Sequence, residues 1–435
     1  MSSVTQILLL LLLTLAVGSL KAEAVCGQPQ VSPSSSNGAT ARLSHRYGPC
    51  SPAPSTEEPT ITELLRSDQL RANYVQRKFS AGNNGANGLQ PSDLTVPTTL
   101  GSALDTLQYV ITVGIGSPVV TQTMIVDTGS DVSWVYCRSS AGSTLFDPSK
   151  STTYAPFSCS AAECAQLGTR GNGCSNSECQ YVVEYVEGSN NTGTYGADTL
   201  TLTDSETVDN FQFGCRQDEG VMPDTTDGLM GLGGGAQSLV SQTAATYGEA
   251  FSYCFPPTNN STGFLTLGAE DGTSGFVSTP MVRFANVPTF YGVLLQDIAV
   301  EGTLLGIPPS VFSDRSVMNS GTIISRLPPV AYAALSAAFK AHMTRYTPAP
   351  PRSILDTCFD FTGLDSVTVP SISLVFEGAV VDLDVNGILI ASCLAFAATT
   401  TPDGVPSIIG NVQQRTFEVL LDVGQSVVGF RSGAC

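Results

Sequence analysis

A repeated six-residue pattern constrains the fold of this chain more than any other feature of its sequence. Residues 125–130 read Ile-Val-Asp-Thr-Gly-Ser, and residues 317–322 read Val-Met-Asn-Ser-Gly-Thr. Each copy is followed downstream by two apolar residues and a glycine, at 229–231 and at 408–410. One Asp-Thr-Gly alone recurs by chance, whereas two copies with the same companion segment in the same order indicate an internal repeat. The sequence therefore predicts two related halves, each presenting one such turn.

The chemistry of the two turns centres on Asp127 and Asn319. A carboxylate at a strand end can accept hydrogen bonds from the glycine N–H and from a hydroxyl two or three residues on. Two carboxyl groups brought together by facing turns share one proton, and such a pair can activate water and protonate a peptide carbonyl. Asparagine keeps the shape but neither carries the charge nor exchanges the proton. The residues expected to support the two turns are Thr128, Gly129, Ser130, Ser320, Gly321 and Thr322.

The chain beyond residue 95 is rich in predicted strands. Short runs of Val, Ile, Thr, Tyr and Phe alternate with Gly, Pro, Asn and Asp turns, and helical patterns are confined mainly to 237–247 and 329–346. A body of about 340 residues exceeds one comfortable hydrophobic core. We therefore expect a mainly β protein in two lobes, residues 96–280 and 281–435.

The first residues and the cysteines indicate the compartment. Residues 7–17 form an apolar run of about eleven residues, too short to span a bilayer, and Ala-Glu-Ala follows at 22–24, so residues 1–24 are expected to be a signal peptide rather than a membrane anchor. Twelve cysteines, an even number, predict disulfides in an oxidising compartment. Zinc is the less favoured alternative for the cluster at 159, 164, 174 and 179, whose spacing lacks paired Cys-x-x-Cys. Sequons at 190, 259 and 260 predict glycosylation.

Charge and histidine content exclude several functions. The net charge of −18 offers no basic patch for nucleic acid and favours an acidic working environment. The chain has two histidines, of which only His342 lies beyond residue 95, and no serine stands in a Gly-x-Ser-x-Gly motif. Chemistry based on a histidine triad is therefore nearly excluded, and no metal or other cofactor is expected.

Residues 25–95, here called the leader, differ from the body that follows. The leader contains six basic residues and many Pro, Ser, Asn and Gly. Thr60 and Glu63 form a capping box before a helix whose apolar residues, at 61, 64, 65, 72 and 75, share one face. This pattern predicts a propeptide whose basic helix docks on the acidic body; a disordered extension without a role is the alternative.

The motifs resemble those of the pepsin-like aspartic proteases, and most of all the plant group that includes the nepenthesins. The resemblance runs from about residue 96 to residue 435 and touches the leader at 45–52. It is carried by 127–130 with Trp134, by the segments 227–233, 408–414 and 428–430, and by Tyr185, which resembles the flap tyrosine of that family.

The resemblance implies a bilobal fold with a substrate cleft between the lobes, and water-mediated hydrolysis of extended polypeptide at acid pH. It also implies the disulfides Cys254–Cys435 and Cys358–Cys393, with Cys137 joined to Cys215. A secreted monomer is expected, in the extracellular space or apoplast, with the vacuole as the other destination, and with neither membrane nor nucleic acid as partner.

Three positions depart from the family pattern. Asn319 stands where the family has its second catalytic aspartate, Val186 replaces the glycine that follows the flap tyrosine, and Cys137 is all that remains of a cysteine cluster after Trp134. Two functions are therefore expected to compete. One is an aspartic endopeptidase impaired by Asn319, and the other is a catalytically dead binding protein that holds a peptide or inhibits a glycosidase. A third hypothesis, a purely structural protein with disulfides, does not account for either of the two turns.

Overall fold

The computed structural model describes residues 26, 38–52, 59–83, 109–137, 145–184, 190–216, 226–258, 260–268, 275–313, 315–400 and 405–435. The expected signal peptide, the flap residue Tyr185 and the sequon residue Asn259 lie outside these ranges. The described protein is mainly β, as the sequence predicts, and its sheets form two lobes.

Strands β1 to β13 belong to the leader and the first half. They are Ala39–His45, Tyr109–Ile115, Val120–Asp127, Trp134–Tyr136, Ala155–Pro156, Gly171–Ser175, Glu178–Glu184, Asn190–Thr201, Thr207–Arg216, Gly228–Gly231, Ala250–Cys254, Thr262–Leu267 and Val277–Pro280.

Strands β14 to β29 belong to the second half. They are Val282–Arg283, Tyr291–Val293, Leu295–Val300, Thr303–Leu304, Ser316–Met318, Ser325–Leu327, Thr347–Ala349, Cys358–Asp360, Ile372–Phe376, Ala379–Asp382, Leu389–Ile390, Cys393–Leu394, Phe396–Ala398, Ser407–Ile409, Glu418–Asp422 and Val427–Arg431. The α-helices α1 to α4 are Ile61–Asn83, Ala162–Gln166, Leu239–Tyr247 and Pro329–His342.

The leader helix α1 begins where the capping box predicts. The Thr60 N–H donates to Glu63 Oε2 at 2.8 Å, and the Glu63 N–H donates to Thr60 Oγ1 at 3.3 Å. The predicted apolar face is largely confirmed, because Leu64, Leu65, Ala72 and Val75 are buried and Ile61 is partly buried. Burial of this face docks the helix on the body.

The leader also supplies a strand to the main sheet, which joins fifteen of the described strands. Strand β1 lies between β12 and β2, antiparallel to both, with Ala39 opposite Leu267 and Ser44 opposite Val110. The last two strands, β28 and β29, return from the second half to pair with β11 and β13. The end of the chain therefore returns to the sheet of the first half after the second repeat.

The internal repeat appears in the strand pairing. In the first half β3 runs parallel to β10, with Asp127 opposite Gly231. In the second half β18 runs parallel to β27, with Met318 opposite Ile409. Each strand that leads into a turn is thus hydrogen-bonded to the apolar segment of the same repeat.

Six disulfides join all twelve cysteines. Three are the expected pairs, Cys137–Cys215, Cys254–Cys435 and Cys358–Cys393. The other three are Cys26–Cys50, within the leader, and Cys159–Cys174 and Cys164–Cys179. The alternative of zinc for the clustered cysteines is therefore wrong.

Among the described residues, no helix combines the length and the apolar character needed to cross a membrane.

Candidate active site

The first turn holds the Asp127 carboxylate in a fixed orientation. Asp127 ends β3 and is fully buried. The Gly129 N–H donates to its Oδ1 at 2.9 Å, and the Ser130 hydroxyl donates to its Oδ2 at 2.5 Å. Because both donors come from the same turn, the carboxylate is oriented before any ligand arrives.

The second turn holds the side chain of Asn319 through one hydroxyl donor. Asn319 follows β18 directly, is fully buried, and donates its N–H to the carbonyl of Ile409 at 3.0 Å. The Thr322 hydroxyl donates to Asn319 Oδ1 at 2.9 Å, as Ser130 does to Asp127. The amide nitrogen, Nδ2, finds no hydrogen-bond acceptor within the described part of the chain.

Reciprocal hydrogen bonds join the two turns. The Thr128 N–H donates to Ser320 Oγ at 3.0 Å, and the Ser320 N–H donates to Thr128 Oγ1 at 3.0 Å. The side chain of Asn411, from the repeat segment after β27, supports the second turn by donating to the carbonyl of Ser320 at 2.9 Å. The two repeats therefore meet with their turns face to face.

Gly129 shows how closely the groups at the centre approach one another. A Cβ added to Gly129 would lie 2.3 Å from Asn319 Nδ2, 2.6 Å from Arg71 Nη2 and 3.3 Å from Asp127 Oδ1. No side chain fits in that space, so only glycine permits the approach. The carboxylate, the amide and a guanidinium from the leader thus surround one point.

Arg71 of α1 occupies the site through an ion pair with Asp127. Its Nη2 donates to Asp127 Oδ1 at 2.9 Å and to Oδ2 at 2.7 Å. Both side chains are buried, so the pair is shielded from water. Charge-assisted hydrogen bonds of this kind are stronger than neutral ones. In this structure the leader therefore fills the place where a ligand would meet Asp127.

A second ion pair lies one helical turn away on the same face of α1. Asp68 Oδ1 accepts from the Ile323 N–H at 2.5 Å, and Oδ2 accepts from the Ile324 N–H at 3.2 Å and from Arg326 Nη2 at 2.7 Å. Asp68 and Arg326 are both buried. Burial raises the pKa of the Asp68 carboxyl, and the Arg326 charge and the two N–H groups oppose that rise. The helix thus contacts the first turn through Arg71 and the segment after the second turn through Asp68.

His45 ends the leader strand and is buried against Tyr109, with the two rings edge to face at 5.6 Å. Burial, together with the charges of Arg415 and Arg46, lowers the pKa of His45 from 6.5 to about 3. Because protonation of the imidazole is disfavoured while it is buried, His45 in the docked leader strand is neutral at pH values well above 3.

Asp131 joins the two halves just after the first turn. Its Oδ2 accepts from Arg170 Nη2 and from Thr289 Oγ1, both at 2.6 Å, and its Oδ1 accepts from the Gly235 N–H at 2.9 Å. Thr289 belongs to the second half, so this buried carboxylate links both halves beside the site.

The structure brings most of the residues singled out in the sequence to one place. Asp127, Asn319 and the six supporting turn residues lie together, whereas Tyr185 falls outside the described residues. Sequence reasoning missed the parts played by Arg71, Asp68 and Arg326. The available signal was the spacing of Asp68 and Arg71, three residues apart on the face that also carries Leu64, Leu65 and Ala72.

The arrangement has one ionisable group where a dyad would have two. Asp127 can hold a water molecule and accept its proton, and Asn319 Nδ2 can donate a hydrogen bond to a carbonyl oxygen. Asn319 cannot deliver a proton to that oxygen or to a leaving amine. Among the described residues, no three His, Cys, Asp or Glu side chains cluster in a way that could hold a metal ion.

Two family models match most of the body. The model described as xylanase inhibitor N-terminal matches residues 109–269, and the model described as xylanase inhibitor C-terminal matches residues 290–432.

Curated relatives match nearly the whole chain. An aspartyl protease family protein of Arabidopsis thaliana is 38% identical over 411 residues, which cover 90% of this chain and 86% of that protein. The aspartic proteinase nepenthesin-2 of Nepenthes gracilis is 32% identical over 397 residues, which cover 86% of this chain and 87% of that protein.

Solved structures share the fold. The crystal structure of edgp matches with a TM-score of 0.63 and 21% identity, over 75% of this chain and 92% of that one. Basic 7S globulin from soybean matches with a TM-score of 0.60 and 19% identity, over 74% of this chain and 90% of that one.

Proposed function

Because the chain belongs to the plant pepsin-like aspartic protease family, we propose that it binds extended polypeptide between its two turns and hydrolyses it far more slowly than a relative with two aspartates. One observation carries the proposal. The amide of Asn319 lies next to the Asp127 carboxylate, in a second turn whose Thr322 hydroxyl donates to Asn319 as the Ser130 hydroxyl donates to Asp127.

The chemistry explains why hydrolysis should be slow. A pair of carboxyl groups that shares one proton supplies both a base for water and an acid for the peptide group. With Asn319 in place of the second carboxyl, Asp127 can act as the base, but no neighbouring acid of the pair remains. Losing one acid–base partner costs on the order of 10²–10⁴-fold in rate.

The retained architecture supports polypeptide binding. The hydrogen bonds that orient Asp127 and the reciprocal bonds between Thr128 and Ser320 are all in place. These bonds hold the cleft in one shape whether or not hydrolysis follows.

The leader supports protease ancestry, and in this proposal it is a propeptide. Arg71 neutralises Asp127, and α1 covers the site until the leader is removed. The guanidinium of Arg71 balances the charge of the Asp127 carboxylate while the leader is docked. Secretion, signal-peptide removal and glycosylation belong to the same proposal.

A second candidate function is binding without any hydrolysis. Asn319 favours it directly, and the family models that match the body are named for xylanase inhibitors. A ligand bound outside the cleft, such as a glycosidase, would leave Asp127 and the turns unused. The well-formed turns therefore favour peptide in the cleft over a partner on the outer surface.

The test uses a full-length chain with a recognition sequence for a specific protease inserted after residue 92. Cutting there yields the nicked chain, in which the leader is no longer covalently joined to the body. Cleavage of acid-denatured globin is compared for the nicked chain, its Asn319→Asp variant and its Asp127→Ala variant, each after the leader has been separated from the body and each with and without pepstatin.

We expect Asn319→Asp to cleave globin in a pepstatin-sensitive way, the unmodified sequence to be slower by about 10²–10⁴-fold, and Asp127→Ala to be inactive. Equal rates for the unmodified sequence and Asn319→Asp would contradict impairment by Asn319. A folded but inactive Asn319→Asp would contradict the intact cleft and favour the non-catalytic function.

A further inference from the structure

We propose that Arg326, with the N–H groups of Ile323 and Ile324, forms a carboxylate-binding subsite that selects an acidic side chain in the polypeptide that replaces the leader. The inference rests on the proposed function, namely polypeptide binding in the cleft, and adds the chemistry of the ligand to it.

Three donors converge on one carboxylate in the structure. Arg326 Nη2 lies 2.7 Å from Asp68 Oδ2, and the N–H groups of Ile323 and Ile324 lie 2.5 Å and 3.2 Å from Oδ1 and Oδ2 respectively. A guanidinium and two backbone N–H groups aimed at the same two oxygens match a carboxylate and fit an amide poorly, because half of an amide's polar atoms are donors.

The body itself holds these donors in position. Arg326 lies in β19, and its Nη1 donates to the carbonyl of Ile324 at 2.9 Å. Ile323 directly follows Thr322, whose hydroxyl holds the amide of Asn319. Because these contacts lie within the body, the subsite keeps its shape when the leader leaves.

Removal of the leader leaves the subsite without its anion. Arg326 is 1% exposed and Asp68 is fully buried in the docked state. Among the described residues, Asp68 is the only carboxylate that forms an ion pair with Arg326. When a polypeptide covers Arg326 as α1 does, little water screens the guanidinium from a carboxylate bound to it.

The position of the subsite follows from the helix. Asp68 precedes Arg71 by three residues, a rise of about 4.5 Å along α1. An extended peptide advances about 3.3 Å per residue. The acidic side chain should therefore lie within about two residues of the peptide group held at Asp127.

The net charge of the chain means that an acidic residue should be preferred at only one position of a bound peptide. The chain carries a net charge of −18, which disfavours acidic ligands in general. A preference for an acidic residue at one position of a peptide, and nowhere else along it, would therefore report the subsite rather than the general field.

The experiment measures displacement of helix α1 of the leader, carrying a fluorescent label, from the cleft of the nicked chain at neutral pH. The competitors are extended ten-residue peptides in matched pairs, with Glu or Gln at one position that is moved along the sequence. We expect one position at which the Glu peptide displaces the leader at a concentration about tenfold lower than its Gln partner. In Arg326→Gln the preference should fall to less than about twofold.

Arg326 is buried, so the variant needs a control for folding. Thermal melting of Arg326→Gln is compared with that of the unmodified chain, and the displacement is repeated with an Asp68→Asn leader, which leaves the body unchanged. The Asp68→Asn leader should be displaced by lower concentrations of both peptides, with the Glu preference intact.

The possible outcomes distinguish failure of the carboxylate-binding subsite from failure of polypeptide binding in the cleft. Displacement by both peptides at equal concentrations at every position would refute the subsite and leave polypeptide binding standing. A Glu preference that survives in folded Arg326→Gln would refute the role of Arg326. Failure of every peptide to displace even the Asp68→Asn leader would contradict polypeptide binding and the subsite together.

Discussion

Replacing Arg71 with glutamine should loosen the leader, because it removes the cation from a buried ion pair. Asp127 is fully buried and Arg71 is 3% exposed, with two charge-assisted hydrogen bonds between them. Removing one partner of a buried pair costs about 3–5 kcal/mol, since the other charge stays buried without compensation. Asp127 keeps the Gly129 N–H and the Ser130 hydroxyl, so the lower end, about 3 kcal/mol, applies.

A loss of about 3 kcal/mol changes the docking equilibrium by roughly 150-fold. The assay is hydrogen exchange of the α1 amides, residues 61–83, in the uncut full-length chain at neutral pH. Exchange that requires undocking of the helix should accelerate by about that factor. Amides of α4, residues 329–342, serve as an internal reference and should be unaffected.

Arg66→Gln provides the matched control. Arg66 lies on the exposed face of the same helix, so this variant makes the same change of side chain without touching Asp127. It should change α1 exchange by less than about twofold. The reasoning is refuted if Arg71→Gln exchanges like the unmodified chain, or if Arg66→Gln has an equal effect.

Three further predictions concern the leader and the turns. The pKa of His45 is about 3 when the strand is docked and 6.5 ordinarily, so protonation favours the undocked leader. The free energy of leader docking should weaken by up to about 1.4 kcal/mol per pH unit as the pH falls from about 6.5 towards 3. Leader release from the nicked chain measures this, and a His45→Gln variant with an equally steep profile would contradict it. Gly129→Ala should lower the melting temperature, because the new Cβ would lie 2.3 Å from Asn319 Nδ2; an unchanged melting temperature would count against the close approach. Asn319→Asp should slow α1 exchange by about tenfold, since a carboxyl oxygen in place of the amide nitrogen can accept a hydrogen bond from the Arg71 guanidinium; faster exchange would contradict the placement of Arg71.

The two turns could be predicted from sequence because the motif occurs twice, and each copy supports the interpretation of the other. The same residues recur with the same downstream segment, and the structure pairs β3 with β10 and β18 with β27 accordingly. The start of α1 was also predictable, since the capping box of Thr60 and Glu63 is a local signal. Local patterns of this kind need no knowledge of tertiary contacts.

The boundaries of two helices differ from those predicted by the sequence pattern. The helix expected over 237–247 begins at Leu239, because Ser238 accepts from the Ser241 N–H and acts as its N-cap. The helix expected over 329–346 ends at His342.

The contacts that define the occupied cleft could not be predicted. Nothing in the sequence says which of the six basic leader residues meets Asp127, because that depends on how α1 docks. The ion pair between Asp68 and Arg326 joins residues 258 positions apart. The leader strand β1 was missed as well, since Ala-Thr-Ala-Arg-Leu-Ser-His lacks the β-branched and aromatic density of a typical strand, and its pairing with β12 and β2 overrides that weakness.

The most direct test of the central claim is the single-turnover rate of peptide hydrolysis at acid pH by the nicked chain after its leader has been removed, compared with its Asn319→Asp variant. With enzyme in excess over one fluorogenic peptide, the rate reports the chemical step at bound substrate rather than binding. If Asn319 disables an otherwise intact cleft, Asn319→Asp should be faster by about 10²–10⁴-fold while the peptide concentrations needed for binding stay similar. Equal rates in the two proteins would contradict the claim.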